Sequence, residues 1–367
     1  MKILFCIDTM TKGGAERVIA NLSNYLINEQ KVEILTLLNR KCQYEIDNNV
    51  KIYSLNISEK RKNILEKFIY TLNNVKEYCD KIKEINPDII ISFLPRSSYY
   101  SIIAAKLNRK KIIVSDRNDP NIEYRDFINR TLMKALYKKA DGFVFQTEEA
   151  KKYFKKKIQN KSVVIPNPIN EKFLCNSYSG EREKIIVTVG RLTEQKNQIL
   201  LINAFKEISK KYSEYKLFIY GEGPLKDSLT RYIEKKGLRE NVILKGIANN
   251  IKEEIYKKKM FVLTSNYEGM PNALMEAMGI GLPVISTDCP IGGPKFLIKN
   301  GNNGLLVKVN DNKNLEESII RIIEDESLEK KISLNAAKSM KKLKPKIINE
   351  KWKEYIYSIG EKEWIEL

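Results

Sequence analysis

Residues 265–287 read SNYEGMPNALMEAMGIGLPVIST and place a short helical pattern between two apolar strand patterns, at 260–264 and 283–287. Apolar residues recur at helical spacing after Pro271, and two glycines close the pattern. Proline favours the first helical position, so we predict that the helix starts there. Strands that alternate with a helix in this way indicate a βαβ unit and a parallel sheet.

Two carboxylates, Glu268 and Glu276, lie on either side of the start of this helix. A lone pair of glutamates is more often solvated, but open α/β sheets bind ligands at the carboxyl ends of their strands. Helix N-termini attract phosphate, and carboxylates accept hydrogen bonds from sugar or ribose hydroxyls. The position therefore favours a nucleotide-sugar site.

The composition is that of a globular protein long enough for two domains, with 367 residues, 43% apolar and 30% charged. Histidine is absent, which excludes Ser-His-Asp and Cys-His catalysis and histidine-ligated metals. The five cysteines form no C-x-x-C pair, so we expect a reducing compartment and no zinc. The apolar run before Asp8 is too short for a signal peptide, and no run is long enough to span a membrane.

A net charge of +19 indicates an anionic partner: nucleic acid, a phospholipid surface or a phosphorylated ligand. The basic stretches that begin at Lys106 and Lys151 lack the interleaved aromatic residues of a single-strand stacking platform. We therefore expect no nucleic-acid partner, although the charge keeps a nucleic-acid-binding protein as an alternative.

Two series of β-rich apolar runs, each alternating with helix-length segments, are separated by a Pro-, Asn-, Ser- and Gly-rich loop. The pattern predicts an α/β protein with Rossmann-like domains at 1–170 and 171–344. The segment 345–367 is amphipathic, and we expect it to cross back and pack on the first domain.

Two further loops carry candidate phosphate-binding residues. Gly13 and Gly14 follow the first strand, where glycine lets the backbone approach a diphosphate, although a plain tight turn is an alternative. Arg191 and Lys196 follow the first strand of the second domain, where two cations would neutralise a leaving diphosphate unless they are only solvated. The chain has no D-x-D sequence, so we expect no metal.

The segments GGAE, GRLTEQKN, YGEGP and EGMPNALMEAMGIGLPVISTD together resemble glycosyltransferase family 4 over nearly the whole chain. The resemblance implies the GT-B fold of two facing Rossmann-like domains, retention of the donor's anomeric configuration, and a UDP-sugar donor. VSDRNDP, FQTEEA and VIPNPI resemble the branch that transfers N-acetylgalactosamine or related sugars in bacterial surface-glycan assembly.

The resemblance also implies roles for individual residues. Glu276 would hold the ribose hydroxyls, Glu268 the hydroxyls of the transferred sugar, and Arg191 with Lys196 the diphosphate. The remaining expected donor contacts are Gly13, Gly14, Met270, Pro271, Asn272 and Ala273. Many family members have a histidine beside the donor sugar, and its approximate match here is Arg117, which we expect to contact the acceptor or the sugar.

The sequence thus predicts transfer of a hexose or N-acetylhexosamine to a glycan or lipid-linked acceptor, with a nucleotide-sugar epimerase of the same fold as an alternative. A helical pattern after Glu59 begins with Lys60, Arg61 and Lys62. Such a helix packs on the sheet, and its basic start is also suited to an anionic bilayer. We therefore expect a cytoplasmic protein at the inner face of the plasma membrane.

Overall fold

The computed structural model describes residues 1–11, 13–57 and 64–361, with side chains described outside 64–70. The chain divides into two compact units. Unit 1 comprises Met1–Pro168 and Lys346–Leu367, and unit 2 comprises Ile169–Pro345. The divisions at 168 and 345 fall within two residues of the positions that the sequence suggests.

Unit 1 is built on a parallel sheet of seven strands within the described residues, in the order β3-β2-β1-β4-β5-β6-β7. The strands are β1 (Lys2–Ile7), β2 (Lys31–Thr36), β3 (Lys51–Ser54), β4 (Ile89–Phe93), β5 (Lys111–Ser115), β6 (Gly142–Phe145) and β7 (Ser162–Val164). The central strands are almost wholly apolar because helices cover both faces of a parallel sheet.

The helices that accompany this sheet follow the strands in chain order. They are α1 (Gly14–Leu26), α2 (Ile64–Ile85), α3 (Pro95–Leu107), α4 (Pro120–Glu123), α5 (Phe127–Leu136), α6 (Glu148–Lys152) and α7 (Lys156–Gln159). The linker predicted between Ile165 and Arg182 holds only a short 3-10 turn, Glu171–Phe173, before the next strand.

Unit 2 repeats the architecture with a second parallel sheet, of six strands in the part of the chain described, in the order β10-β9-β8-β11-β12-β13. The strands are β8 (Glu183–Val189), β9 (Lys216–Tyr220), β10 (Val242–Gly246), β11 (Lys258–Leu263), β12 (Val284–Thr287) and β13 (Leu305–Val307). The helices are α8 (Gln198–Lys211), α9 (Lys226–Lys235), α10 (Ile251–Tyr256), α11 (Asn272–Gly279), α12 (Gly293–Leu297), α13 (Asn312–Glu324) and α14 (Glu326–Met340).

The last helix, α15 (Pro345–Gly360), returns to unit 1 as the amphipathic pattern predicts. Its buried side includes Ile348, Trp352 and Ile356. The Trp352 ring stacks on Phe93 with centroids 5.7 Å apart and an interplanar angle of 27°. The Tyr355 hydroxyl accepts a hydrogen bond of 3.0 Å from the Phe143 amide of β6. Helix α15 is therefore an integral part of the unit 1 core.

Each sheet reverses its strand order beside its first strand, between β1 and β4 in unit 1 and between β8 and β11 in unit 2. Such reversal points open a crevice at the carboxyl ends of the strands, where doubly wound proteins bind ligands. The predicted site residues Arg191, Lys196 and Glu268 all follow β8 or β11, so the unit 2 sheet delivers them to this crevice. Among the described residues, no helix is long and apolar enough to cross a membrane.

Candidate active site

The centre of the unit 2 crevice is an ion pair between two predicted site residues, Lys196 and Glu268. Lys196 Nζ donates a hydrogen bond to Glu268 Oε1, which also accepts one of 2.7 Å from Ser265 Oγ. Glu268 is only 6% exposed. A buried carboxylate needs such partners, because burial without them would cost several kcal/mol. The loop before α11 therefore positions a charged group, and Ser265 is a partner that sequence reasoning missed.

The backbone around this pair is fixed by contacts between the loops that follow β8 and β11. Thr264 Oγ1 donates to the carbonyl oxygens of Lys196 and Asn197, at 3.1 and 2.9 Å. Asn197 adopts the left-handed conformation, with φ +44°, and its side-chain amide donates to Asn266 Oδ1 at 3.0 Å. Asparagine tolerates this conformation better than most residues. The two loops thus hold Lys196 against Glu268.

Helix α11 begins one residue later than the sequence predicts. Pro271 is the residue before the helix, with φ −76° and ψ 102°, and Asn272 is the first helical residue. The Pro271 carbonyl accepts the first helical hydrogen bond, from the Met275 amide at 3.1 Å. The prediction of proline at the first helical position is therefore wrong by one residue, because Pro271 supplies the N-cap carbonyl. The first turn still places Asn272 and Ala273 beside the Glu268 loop.

Glu276 lies in the second turn of α11, as predicted, and is half-buried. The end of the helix is fixed by Gly281, whose φ is +68° and whose amide donates to the Met278 carbonyl at 3.0 Å. The Leu282 amide donates to the Ala277 carbonyl at 3.0 Å. These two bonds form a Schellman motif, which glycine favours at this position. The second glutamate is thus carried on a helix with a defined start and end.

A glycine that the sequence reasoning did not single out, Gly293, packs against the loop that carries Glu268. A Cβ atom at Gly293 would lie 1.9 Å from the Gly269 carbonyl oxygen and 3.1 Å from Pro271 Cδ. Any larger residue would therefore displace the backbone directly after Glu268. Because the partner is 24 positions away in the chain, no local pattern in the sequence signals this contact.

Arg191 lies at the carboxyl end of β8 with its side chain exposed. The loop on which it sits is braced by the turn after β9, since the Gly190 amide donates to the Tyr220 carbonyl and the Leu192 amide to the Glu222 carbonyl, both at 3.0 Å. The Arg191 carbonyl accepts a bond of 2.9 Å from the Gln198 side chain. An exposed cation on a braced backbone is suited to binding an anion from solvent.

In unit 1, Gly13 precedes α1, and the side chain of Tyr44 forms hydrogen bonds with its backbone. The Tyr44 hydroxyl accepts a bond of 3.0 Å from the Gly13 amide and donates one of 2.6 Å to the Gly13 carbonyl. The backbone at Gly13 is extended, with φ −169°. Gly14 is the first residue of α1. Both glycines lie at the carboxyl edge of the unit 1 sheet, and Tyr44 is a long-range partner that the sequence pattern did not indicate.

Arg117 follows β5 and is buried in an aromatic box. Its guanidinium carbon lies 5.0 Å from the centroid of Phe93 and 5.3 Å from that of Trp352. Its Nη1 donates to Asn167 Oδ1 at 3.1 Å, whereas Nε and Nη2 are buried and have no hydrogen-bond partner among the described residues. Burial lowers the pKa of Arg117 to about 9, which keeps the group charged near neutral pH.

The neighbouring Asp116 is also buried and accepts two hydrogen bonds. Tyr124 donates to Oδ2 at 2.6 Å and Tyr137 donates to Oδ1 at 2.8 Å. Burial raises the pKa of Asp116 to about 6 despite these bonds. The β5 loop therefore buries two charged residues in succession, and aromatic groups contact both.

Unit 1 also contains a cavity of about 570 Å³ at the carboxyl edge of its sheet, which the sequence did not predict. Its lining includes Asp8 after β1, Leu94 after β4 and Asn118 after β5. Tyr99 of α3 and Leu132 of α5 contribute to its wall. A cavity of this size with mixed polar and apolar walls can hold a small organic ligand.

One predicted contact lies outside the described residues. The basic start of the helical pattern, Lys60, Arg61 and Lys62, falls in the segment 58–63, so the structure does not describe it. Helix α2 begins just after that segment, at Ile64.

Two family models together match almost the whole chain. Residues 12–173 match the model described as Glycosyltransferase Family 4, and residues 174–339 match the one described as Glycosyl transferases group 1. An uncharacterized glycosyltransferase of Methanocaldococcus jannaschii is 31% identical over 348 residues, which cover 81% of this chain and 86% of the relative. The chain belongs to glycosyltransferase family 4.

The alignment with a second relative covers almost the full length of both sequences. It is the Campylobacter jejuni alpha-1,4-N-acetyl-D-galactosaminyltransferase that acts on GalNAc-alpha-(1->4)-GalNAc-alpha-(1->3)-diNAcBac-PP-undecaprenol. It is 27% identical over 361 residues, which cover 98% of this chain and 99% of the relative. The relatives named here are transferases, so the epimerase alternative gains no support from them.

Solved structures agree with the predicted GT-B fold. Anabaena HepE in complex with UDP aligns with a TM-score of 0.81 at 18% identity, covering 98% of this chain and 100% of HepE. The apo form of the lipopolysaccharide outer core galactosyltransferase WaaB aligns with a TM-score of 0.77 at 22% identity, covering 98% and 99%. The protein therefore has the GT-B fold, and the prediction from its sequence motifs is confirmed.

Proposed function

We propose that the protein transfers a hexose or N-acetylhexosamine from a UDP-sugar to a glycan or lipid-linked acceptor, with retention of anomeric configuration. The observation that carries the proposal is the hydrogen-bonded pair of half-buried Lys196 and buried Glu268 at the carboxyl ends of β8 and β11. It combines a cation for a diphosphate with a carboxylate for sugar hydroxyls. The Campylobacter relative, which acts on a diphospho-undecaprenol glycan, supports the acceptor class.

The donor contacts that we propose follow the geometry of unit 2. Glu276 accepts hydrogen bonds from the ribose hydroxyls, and Glu268 accepts them from the transferred sugar. Arg191 and Lys196 bind the diphosphate, and the backbone at 270–273 completes the cradle at the start of α11, with N-H groups from Met270, Asn272 and Ala273. In unit 1, Gly13 and Gly14 offer backbone to the diphosphate.

The reaction that we propose is front-face transfer. The acceptor hydroxyl oxygen forms a bond to the anomeric carbon as the bond from that carbon to the diphosphate oxygen breaks on the same face. The acceptor proton passes to the leaving diphosphate, so no histidine is required. Lys196 and Arg191 stabilise the negative charge that develops on the leaving group, and one well-placed group of this kind contributes about 3 to 4 kcal/mol.

We propose that no metal ion is needed, because cations of the chain itself face the diphosphate. The absence of any D-x-D sequence and of histidine supports this proposal. Activity should persist in the presence of EDTA. Complete loss of activity in EDTA that manganese or magnesium restores would contradict this part of the proposal.

Arg117 is proposed to contact the acceptor or the transferred sugar. Support comes from its position after β5, at the carboxyl edge of the unit 1 sheet. We also propose that the protein contacts an anionic membrane on the cytoplasmic side of the plasma membrane, where a lipid-linked acceptor would be presented. The net charge of +19 supports this location.

A panel of UDP-sugars tests the proposal directly. Each is measured for thermal stabilisation of the protein and for sugar transfer to a lipid-linked or oligosaccharide acceptor. A bound donor at one hundred times its dissociation constant should stabilise the fold by about 2.7 kcal/mol. Consumption of the donor without any acceptor, giving an isomeric UDP-sugar, would favour the epimerase. Absence of stabilisation by UDP and by every UDP-sugar would contradict the proposal.

A further inference from the structure

Helices α4 and α5 expose an unusual concentration of large apolar side chains. Thirteen such side chains are exposed among the described residues, and four of them lie between positions 122 and 132. They are Ile122 at 39%, Phe127 at 73%, Ile128 at 70% and Leu132 at 40% exposure. Single exposed apolar residues are ordinary, but a contiguous cluster marks a surface that contacts something apolar.

The cluster is not the core-facing side of α5. That helix buries Met133, and Leu136 is half-buried on the same side. At about 100° per residue, Phe127 and Ile128 lie on another face, away from Met133, and Leu132 lies at the border between that face and Leu136. The helix therefore packs Met133 in the protein and exposes an apolar stripe of Phe127 and Ile128, which Leu132 borders on the side of the cavity.

Basic residues border the exposed stripe. Arg130 and Lys134 lie one turn apart beside Phe127, and both are exposed, as is Arg125 before the helix. The only acidic residues from 122 to 139 are Glu123, which accepts a bond from Asn118, and Asp126, which caps α5. Against these two stand five lysines and arginines, a net charge of +3. We call the cluster of Ile122, Phe127, Ile128 and Leu132 with Arg125, Arg130 and Lys134 the α5 surface.

We propose that the α5 surface docks unit 1 on an anionic lipid bilayer. An apolar stripe beside cations is the chemistry of helices that lie in the plane of a membrane interface. The stripe inserts among acyl chains while the cations contact acidic headgroups, each contributing about a fivefold increase in affinity near the surface. The choice of a bilayer as the occupant rests on this charge complementarity.

The cavity of unit 1 lies beside the same helix that would contact the bilayer. Asn129, Leu132 and Leu136 of α5 line it, so the α5 surface and the cavity share one helix. A lipid-linked acceptor held in a docked bilayer would present its sugar next to the carboxyl edge of the unit 1 sheet. This step rests on the proposed function, whereas docking itself can be measured without any transfer.

Vesicle sedimentation tests the proposal with the full-length chain. The probes are phosphatidylcholine vesicles with and without phosphatidylglycerol. We expect wild type to bind the anionic vesicles and Phe127→Ser/Ile128→Ser to bind them about tenfold more weakly. Leu107→Ser/Ile247→Ser is the matched control, since Leu107 and Ile247 are exposed to 70% and 77%, and it should bind like wild type.

A charge variant separates the electrostatic contribution. Arg130→Gln/Lys134→Gln should lower binding to anionic vesicles roughly thirtyfold at low salt, and the difference should shrink as salt is added. Equal binding by wild type, Phe127→Ser/Ile128→Ser and the control would overturn the proposal. Failure of wild type to bind anionic vesicles would also overturn it. In that case, dissociation of a dimer by Phe127→Ser/Ile128→Ser would show that a second copy of the chain covers the α5 surface.

UDP binding by calorimetry distinguishes the two proposals. Phe127→Ser/Ile128→Ser leaves the donor residues of unit 2 intact, so its UDP affinity should equal that of wild type. Vesicle binding without any UDP binding would support docking and contradict the proposed function. UDP binding and transfer to a water-soluble acceptor, without vesicle binding, would overturn docking alone.

Discussion

Lys196 and Glu268 form a hydrogen-bonded ion pair at the carboxyl ends of neighbouring strands in unit 2. Each neutralises the other, and Ser265 provides the carboxylate with a second partner. A diphosphate and a sugar hydroxyl offer both groups replacement partners. We therefore expect donor binding at the proposed site to replace one set of charge-assisted hydrogen bonds by another.

Replacement of Lys196 by alanine should slow transfer more than it weakens donor binding. The leaving diphosphate gains charge on the way to the transition state, so the cation binds the transition state better than the ground state. We expect the rate at saturating UDP-sugar to fall by about 10²- to 10³-fold. Lys226→Ala, which removes an exposed cation paired with Glu222 at 2.9 Å, is the control. An unchanged rate in Lys196→Ala would exclude this role.

The two glutamates should differ in what they bind. Glu276→Ala should weaken UDP and UDP-sugar alike, by about 10- to 100-fold, because a hydrogen bond to a charged group contributes about 1.5 to 3 kcal/mol. Glu268→Gln should leave UDP affinity within about twofold of wild type and reduce transfer, because its proposed partner is the sugar. Calorimetry with UDP and with UDP-sugar measures both effects. Equal losses of UDP affinity in the two variants would refute these assignments.

Asp116 should make the stability of the protein depend on pH. Its pKa is about 6 in the folded state and 3.8 ordinarily, so the unfolded chain loses the proton first as pH rises. The stabilising contribution is complete below the ordinary pKa and is lost as pH rises through about 6. From about pH 4 to 7, the free energy of unfolding of wild type should fall by about 2 kcal/mol more than that of Asp116→Asn.

Urea unfolding at a series of pH values measures this difference. Exposed Asp126 is a useful comparison, because a hydrogen bond from the backbone amide of Asn129 lowers its pKa. Its contribution is present at higher pH and is lost as pH falls, so Asp126→Asn should alter the profile in the opposite direction. Parallel profiles for wild type and Asp116→Asn would show that the carboxyl titrates normally in the folded state.

Gly293→Ala should disturb the site from outside it. The added Cβ would lie 1.9 Å from the Gly269 carbonyl, so the backbone after Glu268 has to move. We expect a loss of about 1 to 3 kcal/mol in stability together with slower transfer. Gly301→Ala is the control, because its Cβ meets nothing within 4 Å although its φ is +73°. It should lose about 1 to 2 kcal/mol of stability through strain and keep its kinetics. If the two variants have identical kinetic constants for transfer, the contact between Gly293 and Gly269 does not contribute to catalysis.

The fold was predictable because its signals are local. Apolar runs such as residues 3–7 of β1 indicate a parallel strand buried on both faces, and the spacing of Ile348, Trp352 and Ile356 indicates one buried helix side. The position of Arg191, Lys196 and Glu268 at the carboxyl edge of the unit 2 sheet was predictable for the same reason, because each follows a predicted strand.

The contacts that the sequence did not reveal join residues far apart in the chain. Tyr44 binds the backbone of Gly13, Gly293 packs on Gly269, and Trp352 covers Arg117. Each depends on the three-dimensional course of the chain, which residue spacing does not encode. The start of α11 was misplaced by one residue because proline fits both the first helical position and the residue before it.

The packing of α15 on unit 1 also sets an order of events during synthesis. Residues 1–168 leave the ribosome first, but the helix that carries Trp352 follows only after the 177 residues of unit 2 (169–345). At roughly 5 to 20 residues per second, that delay is about 9 to 35 s. Throughout it, Phe93 and Arg117 lack the indole ring that covers them in the finished protein. We therefore expect the nascent first unit to complete its core only after α15 has emerged.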